Sequence, residues 1–318
     1  MQTRHLHPTD LEYFVKICQL GSMTQASVQL GVTQPALSKS IRRLEQTVGA
    51  KLLERSTRGA RPTQIGLELM HRGSVILSDL KTTQHLLQEM SGSRMGTVSM
   101  GTAPSLSHHF LPSVIQLAQQ KRPRLFFQVN EGIFHQLLPR LLLGELDFII
   151  SSPSSNEPLA PELVCEPLGS NYFMACVAHN HPLALSNAIA DEQLLDYPWV
   201  LTSPQGILRN TLNLLFKSRA LPAVTPQVET SCTTLSKALI TQQNFISFLP
   251  VESFAEEHKM GLIRPLNIPW LYWKRDLYLL LRRGHNPSPA AQFVIDLIKA
   301  EAPQRLTPPP PTFIHSDP

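Results

Sequence analysis

Apolar residues recur at helical spacing in the first fifty positions of the chain. Leu37, Ile41, Leu44 and Val48 follow one another at steps of four, three and four, which places them on one stripe of a helix. An earlier stripe predicts a first helix that ends at Gly21 and carries Leu11, Phe14, Val15 and Cys18. Between the two, Thr24 is expected to cap a short second helix that runs to Leu30. Three short helices in this order are typical of a helix-turn-helix.

The polar side of the third helix is suited to contact with DNA. Thr33 is expected to cap its N-terminus, and Pro35 is tolerated in the first turn because the amide it lacks would have no partner there. The N-terminal residues of such a helix meet base edges and phosphates in the major groove. The residues predicted to contact DNA from this helix are Thr33, Gln34, Pro35, Ser38, Lys39 and Arg42.

A glycine flanked by arginines follows the third helix and suits the tip of a β-wing. Arg55, Arg58 and Arg61 are predicted to contact the phosphate backbone from this wing. Residues 1–62 hold nine Lys or Arg and four Asp or Glu, a net charge of +5, whereas the whole chain carries +4. Such concentration of positive charge is typical of a nucleic-acid-binding module joined to a nearly neutral one. An ordinary solvated surface is the alternative, and the helix spacing decides against it.

A long helix without proline is predicted from Thr63 to Met90. Its apolar and small positions alternate at steps of four and three, which is a heptad seam: Leu69, Gly73, Ile76, Leu80, Thr83, Leu87 and Met90. The seam predicts a dimerisation helix, and the alternative is a helix packed on its own chain. Residues 91–96, rich in Gly and Ser, are predicted to form a hinge.

From Thr97 the apolar segments alternate between strand and helix lengths. Strands are predicted at 98–101, 125–130 and 147–150, with helices at 108–120 and 134–143 between them. This βαβαβ order predicts a parallel sheet covered on both faces. A second set follows, with strands near 172–178, 199–201, 224–229 and 245–249 and helices near 208–219 and 233–240. The segments 277–281 and 289–300 are predicted to return to the first set, which makes two lobes.

The predicted fold class is α/β, with an N-terminal winged helix-turn-helix, a long linker helix and a C-terminal domain of two lobes. The boundaries that follow are 1–62 for DNA binding, 63–90 for the linker helix, 91–96 for the hinge and 97–301 for the two lobes. One lobe comprises 97–165 plus 270–301, and the other comprises 166–269. Residues 302–318, which include four consecutive prolines, are predicted to form a disordered tail.

A ligand cleft is predicted between the two lobes. In open α/β sheets, ligands bind outside the carboxyl ends of the strands, where helix N-termini offer free amides to an anion. The residues predicted to bind an effector there are Thr102, Ser105, Gly132, Phe134, Thr202, Ser203 and Ser231. Each hydroxyl has the alternative role of a plain helix cap. The hydroxyls and helix ends together favour a small carboxylate or an amino-acid-like compound.

The chain resembles LysR-type transcriptional regulators along nearly its whole length. The motifs that carry the resemblance are Gly21-Ser22-Met23-Thr24-Gln25-Ala26, Leu30, Thr33-Gln34-Pro35-Ala36-Leu37-Ser38, Ile41, Leu44-Glu45, Gly49, Leu52-Leu53, Arg55, Thr63 and Gly66. Ser27 and Pro62 depart from it, since the family usually has alanine and leucine there. Gln242-Gln243-Asn244 also departs, because the family commonly has glycines before the Leu-Pro that ends this strand.

The resemblance implies an effector domain of the periplasmic-binding-protein type, modulated by a small molecule between its lobes. It also implies double-stranded promoter DNA as a partner, self-association as a homodimer or homotetramer, and RNA polymerase as a further candidate partner. The chain is then expected to be a transcriptional regulator and not an enzyme. No cofactor is expected.

Other classes of protein find little support in the sequence. No apolar run reaches the roughly 18 residues of a membrane helix, and the N-terminus has no apolar signal core, so a cytoplasmic protein is expected. The four cysteines lack Cys-x-x-Cys spacing, and no metal is expected at His179 and His181. Dinucleotide, Walker, nucleophile-elbow and zincin motifs are absent from the sequence. A constitutive repressor with an empty cleft is the remaining alternative.

Overall fold

The computed structural model of the chain describes residues 5–56, 59–90, 96–153, 160–186, 188–202 and 207–306. Its N-terminal part consists of α1 (Pro8–Leu20), α2 (Met23–Leu30), α3 (Gln34–Val48) and a hairpin of β1 (Leu53–Ser56) with β2 (Gly59–Pro62). The buried sides of α1 and α3 share one apolar core that includes Phe14, Ile17, Leu37 and Ile41. The predicted stripe of α3 is thus confirmed at its first three positions, whereas Val48 is exposed.

The ends of these helices are fixed by local hydrogen bonds. Thr33 caps α3 as predicted, since its hydroxyl accepts a bond from the amide of Ala36 at 3.4 Å. The cap predicted for α2 is wrong. Ser22 occupies that position, because its backbone is extended and its hydroxyl accepts from the amide of Gln25 at 3.3 Å.

The hairpin packs closely on the turn that follows α1. The amide of Ala60 donates to the carbonyl oxygen of Gly21 at 2.9 Å. Gly59 has a φ of +122°, and an added Cβ would lie 2.4 Å from the same oxygen. Only glycine therefore fits this position, and the contact fixes the wing against the helices.

The linker helix α4 (Gln64–Met90) is capped by Thr63, whose hydroxyl accepts from the amide of Gly66 at 3.0 Å. The predicted seam divides into two parts. Leu69 and Gly73 pack on their own chain, and a Cβ on Gly73 would lie 2.6 Å from Leu11 Cδ1. The prediction that one continuous seam faces a second chain is therefore wrong at its start. Further along the helix, the seam is exposed at Ile76, Leu80, Thr83 and Leu87.

The C-terminal part is built around one mixed sheet. The elements of lobe 1 are β3 (Thr97–Thr102), α5 (Pro104–His109), α6 (Leu111–Lys121), β4 (Phe126–Glu131), α7 (Phe134–Leu142), β5 (Phe148–Ser151) and α12 (Pro289–Arg305). The elements of lobe 2 are α8 (Pro182–Leu185), β7 (Val200–Leu201), α9 (Ile207–Ser218), β8 (Val228–Glu229), α10 (Thr233–Gln243), β9 (Ser247–Pro250), α11 (Ala255–Lys259) and β10 (Ile263–Pro265), with 3₁₀ segments at Asp191–Leu195 and Val251–Phe254. Two long strands, β6 (Leu163–Ala178) and β11 (Tyr272–Arg282), run through both lobes.

The sheet is parallel only in part, which corrects the prediction. β3 pairs in parallel with β4 and β5, as the βαβαβ pattern predicts. In contrast, β6 is antiparallel to β9, β10 and β11, and β11 is antiparallel to β5. Within the described residues, the strand order is β10-β6-β11-β5-β3-β4, with β9 on the other side of β6. The predicted lobe boundary at 165/166 lies inside β6.

Several predicted elements differ in length from the observed ones. The helix predicted at 108–120 is divided into α5 and α6, because Pro112 lies in the first turn of α6 and starts a new helix there. The strands predicted at 172–178 and 277–281 are longer, because β11 pairs with β6 along its whole length and the rest of β6 pairs with β9 and β10. The strand predicted at 224–229 is shortened to β8, which pairs only with β7.

The predicted tail begins later than the sequence indicates. Helix α12 continues to Arg305 through Pro303, because Ala302 and Leu306 are buried in the core of lobe 1. The carbonyl oxygen of Leu306 also accepts a bond from the amide of Ser170. The rest of the tail and most of the predicted hinge at 91–96 lie outside the described residues. No helix of the described residues is long and apolar enough to cross a membrane.

Lobe 1 is docked on the linker helix of its own chain. Arg282 Nη2 donates to Asp79 Oδ1 at 2.9 Å, and His285 Nδ1 lies 2.9 Å from the same oxygen. Nearby, the hydroxyl of Ser78 donates to the carbonyl oxygen of Gly144 at 3.0 Å. The side chain of Arg282 is 6% exposed, so the charge on Asp79 is the partner of a buried guanidinium.

Replacing Asp79 with Asn should loosen this contact, because it leaves the buried Arg282 without a charged partner. Amide hydrogen exchange measured by mass spectrometry should become roughly tenfold faster in peptides that cover 76–84 and 279–285, since a hydrogen bond to a charged group contributes about 1.5 kcal/mol or more. Glu68→Gln is the matched control, because it breaks the exposed Glu68–Arg72 pair on the same helix. Equal exchange in the two variants would contradict the role of Asp79.

Candidate functional site

The predicted DNA-contacting residues of α3 form one accessible surface. Thr33, Gln34, Pro35, Lys39 and Arg42 are exposed, and Ser38 is half-buried. The opposite side of the helix is fully buried. The structure thus brings these predicted side chains together at the N-terminal half of one helix, where backbone amides and side chains both point outwards.

Gln34 is held in place by the preceding helix. Its side-chain amide donates from Nε2 to the hydroxyl of Thr24 at 2.6 Å. The side-chain oxygen of Gln34 has no such partner among the described residues, and Thr24 Oγ1 also keeps a proton to donate. Thr24 was missed as a site residue, because the sequence pattern assigned it to a helix cap.

The two adjacent arginines of α3 have different surroundings. Arg43 is bound to the buried carboxylate of Asp10, with Nε 2.6 Å from Oδ2 and a second bond from Nη2. Ser40 Oγ donates to the same carboxylate. Arg42 is exposed and has no ion-pair partner among the described residues. Arg43 therefore joins α3 to α1, whereas Arg42 is free to meet a phosphate.

The electrostatics of Asp10 favour its ionised form. Burial alone would raise the pKa of this carboxyl, but the bonds from Arg43 and Ser40 lower it below its usual value. The charge of Asp10 is therefore retained at neutral pH. This ion pair adds a second link between α1 and α3 to the apolar core.

The wing is observed as the β1–β2 hairpin, but only part of its predicted site can be placed. Arg61 lies on β2 and is exposed. Arg55 lies on β1, opposite Ala60, and its side chain is outside the described part of the structure. Arg58 is outside the described residues altogether.

A cavity of about 280 Å³ lies between the two lobes. Lobe 1 contributes Ser107 and His108 of α5 and Glu131 at the end of β4. Lobe 2 contributes Ser231, Thr233 and Lys237 around the start of α10. No side chain caps α10, so amides of its first turn face this space without an internal partner. The cavity is therefore polar and has binding groups on both sides.

The predicted effector residues are spread over several environments. Ser231 lines the cavity, while Ser105 and Gly132 are next to the lining residues Pro104 and Glu131. Thr102 is fully buried at the end of β3, and Phe134 packs on the apolar cluster under α7. The carbonyl oxygen of Thr202 accepts a bond from Arg209. Ser203 lies outside the described residues.

Ser105 belongs to a cluster that the sequence did not reveal. Arg275 of β11 donates from Nη2 to Ser105 Oγ at 3.1 Å and from Nε to Asn171 Oδ1 at 3.0 Å. Its guanidinium also lies 4.7 Å from the centre of the Phe173 ring. Burial lowers the pKa of Arg275 to about 10. The sequence gives no signal that singles out Arg275, because it lies in a run of three charged residues, and only the structure shows that Lys274 and Asp276 are exposed while Arg275 faces inwards.

Glu252 is a second buried charge near this cluster. It lies on the 3₁₀ segment that follows β9, and its Oε2 is buried without a hydrogen-bond partner among the described residues. Burial raises the pKa of Glu252 to about 6. The positive charge of Arg275 acts in the opposite direction, so the two groups influence each other across the base of the cleft.

Metal binding finds no support in the described residues, where no group of three His, Cys, Asp or Glu side chains is placed to hold an ion. His181 caps α8 and is buried, which is a structural role. Cys165 and Cys176 lie eleven residues apart on β6, too far along one strand for a disulfide between them.

Comparison with known proteins places both parts of the chain in one family. Residues 8–67 match the model of the bacterial regulatory helix-turn-helix protein, lysR family, and residues 91–303 match the LysR substrate binding domain. The HTH-type transcriptional regulator YdcI of Escherichia coli K12 is 28% identical over 304 residues, which is 95% of this chain and 96% of the relative.

Two solved structures share the fold. Full-length CbnR, complexed with its target DNA, has a TM-score of 0.63 and 18% identity, with coverage of 93% of this chain and 100% of that one. The effector binding domain of QuiR, in complex with shikimate, has a TM-score of 0.56 and 23% identity, with coverage of 67% and 99%.

Glu252 should make the stability of the protein depend on pH. Its carboxyl holds a proton to a higher pH in the folded chain than in the unfolded one, so stability is lost as the pH rises from about 4.5 to about 6. Glu252→Gln should therefore raise the unfolding temperature at pH 8, by the equivalent of about 1 to 2 kcal/mol, and have little effect at pH 4.5. Thermal unfolding at the two pH values tests this. Glu256→Gln, an exposed neighbour paired with Lys259, is the control, and an equal gain in both variants at pH 8 would contradict the assignment.

Proposed function

The chain belongs to the LysR family of DNA-binding transcriptional regulators, and we propose that it reads promoter DNA with the polar face of α3 and responds to a small molecule bound between its two lobes. In this proposal, Thr33, Gln34, Pro35, Ser38, Lys39 and Arg42 contact the major groove. Arg55, Arg58 and Arg61 contact the flanking phosphates. The observation that carries the proposal is the exposure of this polar face on a helix whose other side is buried.

Charge supports the same assignment. The segment 1–62 has a net charge of +5, while the rest of the chain is nearly neutral. Asp10 and Glu45, two of its four acidic residues, are engaged with Arg43 and Lys51. Lys39 and Arg42 have no such partners among the described residues, so their charges are available to phosphates.

The inter-lobe cavity is the proposed effector site. Hydroxyls line it from both lobes and the uncapped start of α10 adds free amides, which suits a small carboxylate or amino-acid-like compound, while its one lysine, Lys237, is paired with Glu257. QuiR was solved with shikimate in its effector binding domain, which supports a small-molecule ligand in the equivalent domain here. Ser105 and Ser231 are the predicted contacts nearest to this cavity.

Self-association is part of the proposal. Ile76, Leu80 and Leu87 are exposed on one side of α4, and two such helices would cover one another. A dimer places two winged modules at a fixed spacing, so that two weak half-sites become one site of useful affinity. Assembly into tetramers and contact with RNA polymerase in the cytoplasm are expected of such a regulator. The family consists of transcriptional regulators, and we assign the chain no catalytic activity.

A repressor that binds no ligand is the competing function. A thermal-shift screen of the full chain against small organic acids and amino acids separates the two, because only a ligand-responsive protein is stabilised.

Gln34 should contribute to sequence discrimination. Replacing it with Ala should weaken binding to the cognate promoter by about 1 to 3 kcal/mol and change binding to random DNA little, because a side-chain amide reads base edges. Fluorescence anisotropy with both duplexes measures this. Arg61→Ala is the comparison, since loss of a phosphate contact should weaken binding to both duplexes alike. If both variants lost equal affinity on both duplexes, Gln34 would not read bases while Arg61 contacts phosphates.

Substitution should show that Arg42 binds DNA and that Arg43 has a structural role. Arg42→Ala should reduce the slope of log affinity against log salt by about one, because one phosphate contact is lost. Arg43→Ala should leave that slope unchanged. Instead, it should speed amide exchange in α1, where the partner Asp10 lies. A change of slope in Arg43→Ala, without faster exchange, would reverse the two roles.

A further inference from the structure

Arg275 is an inward-facing guanidinium with no carboxylate close to it. It lies on β11 opposite Asn171 of β6, and its side chain is bonded to neutral groups, Asn171 and Ser105, of which Ser105 follows the cavity-lining Pro104. Within the described residues, no acidic oxygen comes within 4.0 Å of it. The other arginines with the most buried side chains differ in this respect, since Arg209 and Arg282 each have a carboxylate partner.

Arg275 is half-buried, and a charge that loses much of its solvent without gaining a counter-ion is costly, so proteins normally pair such groups. The neutral bonds and the face of the Phe173 ring partly compensate Arg275. They also fix its orientation, since Nε and Nη2 are both engaged while Nη1 has no partner among the described residues. A rigid guanidinium with a free edge matches the fork of a carboxylate.

Glu252 supplies the opposite charge from lobe 2. It lies on the 3₁₀ segment that packs against α5 and β6, the elements that carry Ser105 and Asn171. Its Oε2 lacks a partner, so it can accept a hydrogen bond from a ligand. Arg275 and Glu252 influence each other electrostatically without forming an ion pair. Two opposite charges without an ion-pair partner among the described residues, each close to residues that line the cavity, suit a molecule that carries both signs.

We propose that the effector is a small α-amino acid, whose carboxylate binds Arg275 and Ser105 and whose ammonium group binds Glu252. The inference rests on the proposed function, because it names the chemical class of the molecule in the inter-lobe site. Such a ligand would join lobe 1, through Ser105, to lobe 2, through Glu252. Its two charges would pair with two groups that have no ion-pair partner in the part of the chain that the structure describes.

The test is isothermal titration of the full-length protein with the twenty protein amino acids. For the tightest of them, the deaminated carboxylate and the decarboxylated amine are titrated as well. The amino acid should bind best, the carboxylate more weakly, and the amine not measurably. Arg275→Met should weaken amino acid binding by between about tenfold and a hundredfold, since a hydrogen-bonded charged group is lost.

Matched variants separate binding from folding. Lys274→Met removes the adjacent exposed charge and should leave affinity unchanged. Arg275→Lys keeps the charge but not the fork, so it should bind with intermediate affinity even if Arg275→Met folds poorly. Glu252→Gln should abolish the advantage of the amino acid over its deaminated carboxylate while retaining carboxylate binding.

Three results would overturn the inference: no binding by any amino acid, equal binding of the amine, or unchanged affinity in Arg275→Met and Arg275→Lys. A parallel titration with neutral sugars and nucleosides distinguishes failure of the amino acid inference from failure of the proposed function. If a neutral compound binds and alters promoter binding, the chain is ligand-responsive but its ligand is not an amino acid. If no compound of either panel binds, the ligand response itself fails.

Discussion

The antiparallel pairing of β6 with β11 is the constraint on which the C-terminal part of the molecule depends. Both strands span the two lobes, in opposite directions, and their register places Asn171 opposite Arg275. A bulge near Leu277 leaves Leu168 unpaired on β6 and brings Gly169 against the backbone of Leu306. A one-residue slip would turn every side chain of the ribbon to the other face. The polar cluster at the base of the cleft therefore exists because this register is fixed.

Local patterns in the sequence were enough to predict the elements but not all of their partners. The apolar stripe of α3, its Thr33 cap and the βαβ order of lobe 1 are encoded within a few residues, and the structure confirms them. The direction of β6 and β11 depends on pairing between residues 98 to 119 positions apart along the chain, which no periodicity records. Likewise, the heptad spacing of α4 was correct as a pattern, but Gly73 packs on Leu11 of the same chain because the first helix competes for that face.

In the candidate sites, too, the sequence predicts which segments take part but not the role of each side chain. Arg42 and Arg43 are equivalent in sequence, and only the carboxylate of Asp10 makes one structural and the other available. In the cleft, the expected hydroxyls lie near strand ends, and Ser105 and Ser231 lie at or beside the cavity. Arg275 and Glu252 were not predicted, because a charge becomes informative only when its burial and its missing partner are known. Arg275 lies between Lys274 and Asp276, from which the sequence alone does not distinguish it.

The docking of lobe 1 on the linker helix limits how a ligand in the cleft can act. Arg282 and Arg275 lie on the same strand, seven residues and about 24 Å apart, and Arg282 fixes its end of lobe 1 to Asp79 of α4. Lobe 1 is thus tied to the helix that leads to the DNA-binding part, whereas lobe 2 makes its main contacts through β6 and β11. Because lobe 1 is held on α4 by Arg282 and Gly144, a ligand that joins Ser105 to Glu252 would draw lobe 2 towards it. In the proposed dimer, a contact of lobe 2 with the other subunit would carry the change to the DNA-binding part, which is the role that the proposed self-association through α4 would have in the response.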